Sequence, residues 1–427
     1  MPPGIARAQF TVTGGTVFNN GSTSTDAGTN TNPNAGANSN SNQSFSYNGV
    51  TSPVNGGAIA DVNASTGTIS GNGLILDGTA GFSVTGTTVT MTNNGKIDTT
   101  SPGPIVLQAL GLTSDGGAIT YNGSGSVLNT PANGNGLVAN ATSVFSAVGG
   151  SVSIIAGGSI MGTDGIVASA SLGTPGTVSV NVETSGNVTA FESTTYLGPQ
   201  FAIDATTENG DSKVTVDSGT VTGGISSHAT VNGNSLVTIN GGTFLSAINS
   251  AITAHTLNGL NQVVINGGAL TGAAGAPVVN AFVDPFGTGG VEVLMHGGKV
   301  DGTLTGSSIG INAVNTLTST QGVVVTTDLG SSISMSPGTP SPPTIGILAQ
   351  DQGVGGSGRI QGVTVTVGGT IAGGNIGVEA AITNGGATTN PNNVTVQVNN
   401  SIDAITTGVI ATTAGTGNVY VGSTARV

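Results

Sequence analysis

Between Lys213 and Ala281 the chain writes one unit three times, and no other feature restricts its fold as strongly. Aligned on their first strand signal, the copies read Val214-Thr215-Val216-Asp217, Val237-Thr238-Ile239-Asn240 and Val263-Val264-Ile265-Asn266. Each runs into a small-residue turn and a further apolar position: Ser218-Gly219-Thr220-Val221, Gly241-Gly242-Thr243-Phe244 and Gly267-Gly268-Ala269-Leu270. Each then closes on an apolar segment ending at Ala229, Ala254 or Ala281. Recurrence on this scale marks a repeat architecture, in which a unit too small to bury its own apolar face stacks on its neighbours.

The frame extends in both directions. Upstream it takes in Val89-Thr90-Met91, Ile119-Thr120-Tyr121, Val152-Ser153-Ile154 and Val178-Ser179-Val180. Downstream it takes in Val291-Glu292-Val293, Val323-Val324-Val325, Val363-Thr364-Val365, Val394-Thr395-Val396 and Val419-Tyr420-Val421. The closing column reads Ala109, Ala139, Ala168, Ala205, Ala229, Ala254, Ala281, Ala313, Ala349, Ala380 and Ala411. Each unit thus offers three short strands. Side chains at i and i+2 of a strand share a face, so both ends of Val-x-Val point inward and the middle residue points out.

Winding each unit once about an axis places every Val-x-Val on that of the next coil, roughly 4.8 Å away. One coil cannot stand alone. Five or six inward side chains at roughly 1.5–3 kcal/mol each do not offset about 1 kcal/mol or more of backbone entropy per residue. The expectation is an all-β, single-stranded, right-handed parallel β-helix, a solenoid of about 12 coils with about 30 residues per coil.

Composition agrees. With 74 Gly and few Glu, Lys or Arg, the chain shows no amphipathic helix. Charged residues make up 6% and the net charge is −13. Six Lys and Arg in all do not supply the clustered bases that phosphate neutralisation needs, which excludes nucleic acid as a partner. No apolar run reaches the roughly 18 residues of a spanning helix. The absence of Cys excludes disulfide scaffolds and Cys metal sites.

Residues 1–49 read as an N-terminal segment. Ala6-Arg7-Ala8 has the small-x-small shape of a signal-cleavage remnant, though no apolar core precedes it. Residues 10–18 carry a first strand pair with Val12 and Val17, and the Asn-, Ser- and Thr-rich stretch from Asn19 to Gly49 reads as a flexible arm. Residues 50–427 read as the β-helix. Its final Val-x-Val is followed by no polar cap, so a continuation past Val427 is expected. Excursions from the wall fall at 191–199, 283–287 and 336–344, the last rich in Pro, which cannot donate to a ladder. Loops on a rigid scaffold are where binding resides, so their aromatics Phe191, Tyr196 and Phe286 are the candidate binding residues.

No catalytic, cofactor or metal residues are expected. Asp217, Asn240 and Asn266 share one turn column and read as a structural ladder rather than a cation site. His228 and His255 flank the aligned Ala229 and Ala254 on opposite sides, which separates them by roughly 8 Å; without a third ligand they read as isolated surface histidines. Gly210-Asp211-Ser212 resembles part of a protease nucleophile loop, but Lys213 follows where Gly is wanted, and a loop before a strand explains it better. The Thr residues of the outward column, which an ice-binding face would use, are interrupted by Val264, Glu292 and Val324 and suit an ordinary solvent face. The enzyme alternative is a polysaccharide lyase or glycoside hydrolase. It would need a base beside a bound cation, or clustered carboxylates, whereas Lys96, Lys213, Lys299 and Arg359 are scattered and the acids are spread along the coils.

The units VTINGGTF, VVINGGAL, VTVGGTI and VNNSI, with TDGIVAS, NIGVEAA and TTGVIAT, resemble the β-helical passenger of a bacterial autotransporter of the type V secretion class. The likeness covers the chain from about residue 50 and is a pattern of repeats. It implies a Gram-negative protein displayed at the cell surface, outer membrane-associated or secreted, that acts as an adhesin or scaffold. Its partner would be a host-cell surface, matrix or glycan, and a C-terminal translocator barrel would accompany it. The strand pattern of such a barrel is not found in this chain.

Overall fold

The computed structural model describes residues 9–14, 16–18, 43–48, 61–64, 67–72, 75–78, 82–86, 89–93, 96–99, 108–115, 117–129, 134–142, 150–171, 178–191, 200–304, 306–337, 343–355, 360–384 and 390–425. Among these residues every element is a β-strand, and the chain is a parallel β-helix. It divides into two compact units, Met1–Phe191 with Gln200–Asn209, and Glu192–Pro199 with Gly210–Val427.

Each coil contributes one strand to each of three walls. In the second unit one coil runs through Ser235–Ile239, Thr243–Leu245 and Ile252–Thr256, and the next through Leu260–Ile265, Ala269–Thr271 and Pro277–Val283. All three strands pair in parallel with their counterparts one coil on. Among the described residues the short middle wall has five strands in the first unit and seven in the second, in line with the expectation of about twelve coils.

Side-chain alternation follows the expected period. Ser235–Ile239, Val323–Thr327, Val363–Val367 and Val394–Val398 each bury their first, third and fifth residues and leave the second and fourth partly exposed. The interior is a set of stacked Val, Ile and Ala columns: Val214, Val237, Val263 and Val293 lie on one another and are buried. The turns need glycine for two reasons at once. Gly242 and Gly268 have φ of 99° and 90°, and a Cβ on Gly268 would lie 2.8 Å from the Gly242 carbonyl one coil away.

The register corrects the sequence alignment at several points. Val152 lies on Val180, not Val178, and Val263 lies on Val293, not Val291. Both slips are of two residues, and because the side-chain period is two, every residue keeps its face. In the closing column Leu112, not Ala109, lies beside Ala139, and Ser227, not Ala229, lies beside Ala254. Ser227 fills an alanine position by satisfying its hydroxyl internally: its Oγ is 2.9 Å from Ser212 Oγ and 3.0 Å from Ser235 Oγ. Gly210, Asp211 and Ser212 lie within the strand Ile203–Val216 rather than in a loop.

The first unit opens with strands of opposite direction. Gln9–Gly14 pairs antiparallel with Gln43–Asn48, and Thr16–Phe18 antiparallel with Asp61–Ala64. Gln43–Asn48 then pairs in parallel with Gly67–Asn72, so parallel pairing begins inside the stretch read as an arm. Residues 19–42 lie outside the described residues.

Candidate functional site

The third wall of the second unit carries the densest functional grouping. Its strands Ile225–Asn232, Ile252–Thr256 and Pro277–Val283 pair so that Ser227, Ala254 and Ala281 form the inward column. The adjacent outward column is then His228, His255 and Phe282. The two imidazoles are stacked with ring centroids 3.6 Å apart and planes at 23°, closer than the strand spacing. Phe282 continues the stack, 4.9 Å from His255 and inclined at 14°. The expectation of two separated surface histidines is therefore wrong. It followed from placing Ala229, instead of Ser227, in the column of Ala254.

The third member comes from the end of the strand. Asp284 sits two residues after Phe282, on the same face, and its N–H extends the ladder by one bond to the Thr256 carbonyl at 2.8 Å. From there its carboxylate reaches back across two coils. Oδ2 accepts from His228 Nε2 at 2.8 Å and Oδ1 from His255 Nδ1 at 2.9 Å. Burial pushes the Asp284 carboxyl up, but the hydrogen bonds and positive charge of both imidazoles outweigh it and hold the group well below the usual carboxylate range. Side-chain exposures of 25% for His228, 17% for His255 and 19% for Asp284 leave the group sheltered yet reachable from solvent. Among the described residues they are the one group of three His, Cys, Asp or Glu side chains whose ligand atoms converge, all within 4.8 Å of one another. Two imidazole nitrogens and a carboxylate oxygen form a donor set suited to a zinc-class cation.

The same turn displays Phe286. Gly287 N–H closes on the Asp284 carbonyl at 2.9 Å, with Pro285 and Phe286 as the central pair. Phe286 has φ of 70°, the left-handed value that the third position of a type II turn demands and that Gly ordinarily fills. It is the one described non-glycine residue with positive φ, and it is 84% exposed. Of the other two aromatics read as binding residues, Phe191 is half-buried at the end of a middle-wall strand in the first unit, its N–H bonded to the Gly162 carbonyl. Tyr196 lies outside the described residues.

The turn column behaves as a ladder. Asn240 Nδ2 donates to Asp217 Oδ1 at 2.7 Å, and Asn266 Nδ2 to Asn240 Oδ1 at 2.8 Å. His296 and Asp328 follow in the same column on the next two coils, with His296 Nδ1 and Asp328 Oδ2 2.7 Å apart. In the first unit Asp164 accepts the Phe201 N–H at 2.8 Å; burial chiefly, with the neighbouring Asp204 charge, pushes its carboxyl up.

Asp284 was missed because it is distant in sequence from both histidines, and only the corrected pairing of Ser227 with Ala254 brings His228 as well as His255 within its reach. Its one available signal was position, two residues past the aromatic that aligns with His255. Comparison with protein-family models, curated proteins and solved structures found no match to this chain.

Proposed function

We propose that the chain is a non-catalytic, exported surface β-helix, similar to the passenger of a Gram-negative autotransporter, that works as an adhesin or display scaffold. The observation that carries this reading is Phe286, an aromatic ring 84% exposed and held at a φ of 70° on a turn anchored to a stacked wall. Strained backbone persists where surrounding structure over-determines it, and it clusters at binding positions. An exposed ring on a rigid support suits stacking against a sugar face or an apolar matrix segment, and weak contacts of this kind add through avidity when many copies share one surface. The repeat resemblance supports the surface location and the expectation of a separate translocator barrel.

The test is attachment of chain-coated beads to host cells and to immobilised matrix proteins and glycans, with the Phe286→Ala chain alongside. Saturable attachment that the variant loses supports the proposal. Absence of attachment to every surface, or release of unsaturated or reducing ends from uronate-containing glycans, overturns it in favour of another surface role or of the polysaccharide-degrading enzyme.

A further inference from the structure

We propose that His228, His255 and Asp284 form a binding site for a zinc-class divalent cation on the outer face of the second unit's third wall. This goes beyond the adhesin reading and does not depend on it.

The argument begins with convergence. Strand pairing fixes His228 and His255 side by side, and the turn at Asp284 returns a carboxylate to the nitrogens they present. Ligand atoms within 4.8 Å of one another already approach the spacing around a single metal, since bonds of about 2.0–2.2 Å to nitrogen and oxygen put neighbouring ligand atoms about 3.3 Å apart in a tetrahedron.

Donor type selects the metal class. Two imidazoles suit zinc, copper or nickel, whereas calcium and magnesium prefer all-oxygen sets. The two rings would bind through different atoms, His228 through Nε2 and His255 through Nδ1, those now turned to Asp284. Binding replaces the two ring N–H···O contacts with bonds to the cation; an imidazolium gives its proton at that nitrogen to solvent, and a neutral ring shifts it to the other ring nitrogen. It also requires the stacked rings, now 23° apart, to open so that each lone pair points at one centre. Three protein ligands leave a further position facing solvent, the arrangement of open zinc sites. The cation would fix the turn that displays Phe286, because that turn begins at a ligand.

His296 provides an internal control. It has a single carboxylate partner, Asp328, and both are about half exposed.

The test titrates ZnCl2 into chelator-stripped wild-type chain by calorimetry at neutral pH, with Co2+ absorption reporting the coordination. The expected result is one Zn2+ per chain. His255→Phe, which keeps an aromatic ring on Phe282 while removing a ligand, and Asp284→Asn should each weaken binding by at least about tenfold, the loss that even an outer-shell defect brings. His296→Gln should leave it unchanged. Protection from diethyl pyrocarbonate, read by mass spectrometry on the wild-type chain, needs no variant: Zn2+ should shield His228 and His255 and leave His296 reactive. No binding by the wild type, unchanged affinity in the His255 and Asp284 variants, loss in the His296 variant, or equal protection of all three histidines would each overturn the proposal.

Discussion

His255 lies flat against His228, 3.6 Å between ring centroids, and both rings bond to the one carboxylate of Asp284. That carboxylate ties three successive coils together on their outer face, adding to the backbone pairing and to coil-to-coil side-chain bonds such as Asn312 Nδ2 to Asn280 Oδ1 on the same wall. Asp284→Ala leaves two adjacent imidazoles without their acceptor. In metal-free buffer the variant should lose about 1.5–3 kcal/mol, the range for a hydrogen bond to a charged group. Urea unfolding checks this, and an unchanged midpoint would show that the triad contributes nothing to cohesion.

Inward and outward positions should differ sharply in tolerance. Ile239 is buried between Val216 and Ile265, whereas its neighbour Thr238 faces outward between Thr215 and Val264. Ile239→Asp puts an uncompensated charge in the stack and should cost roughly 3–5 kcal/mol or prevent folding. Thr238→Asp should stay within about 1 kcal/mol. Similar melting temperatures for the two variants would contradict the alternation.

The periodic part of this molecule was legible because its period is its physics. Val-x-Val specifies which side chains go inward, and a slip of two residues, as at Val180 and Val293, preserves that assignment. Register within the small-residue column was not legible. Ser227 occupies an alanine position only because Ser212 and Ser235 satisfy its hydroxyl, a condition visible in three dimensions and not in a string. That misplacement alone separated His228 from His255 and hid the triad, while the position of Phe286 in a loop, set by the adjoining Pro and Gly, needed no register.

Gly268 of a Gly-Gly turn combines two constraints that comparison with Gly275, between Ala274 and Ala276, can separate. Gly275 has φ of 74° and open space to 4 Å around the place a Cβ would take, whereas Gly268 has φ of 90° and the Gly242 carbonyl only 2.8 Å from that place. Alanine at 275 meets the dihedral cost alone, about 1–2 kcal/mol. Gly268→Ala must also displace the backbone of the neighbouring coil, and should lose at least about 1 kcal/mol more. Equal losses by thermal denaturation would mean that close approach between coils does not constrain the turn.

Asp351 gives the second unit a defined acid response. It is buried, with Oδ1 accepting Gly353 N–H at 2.8 Å and Oδ2 accepting Asn390 Nδ2 at 2.8 Å. Burial pushes its carboxyl above the ordinary value, and the hydrogen bonds from Asn315, Gly353 and Asn390 offset this only in part. The folded chain therefore keeps the proton at pH values where the unfolded chain, with a pKa of about 3.9, has lost it. The associated stability is fully present below that value and declines as pH rises through the folded pKa. Asp351→Asn cannot titrate, so its melting temperature relative to wild type should climb across the same window. A constant difference would refute the shift.

Phe286 should trade stability for contact. At φ of 70° a residue with a Cβ carries about 1–2 kcal/mol of strain that glycine does not, while glycine costs about 0.5–1 kcal/mol in unfolded-state entropy. Phe286→Gly should therefore melt at the wild-type temperature or slightly above it, the ring being too exposed to contribute packing. Attachment to cells or immobilised glycans should fall at the same time, because the aromatic surface is gone from an otherwise intact turn. A variant that melts lower would show that the ring packs in solution, and one that melts as expected but attaches normally would remove Phe286 from the binding surface.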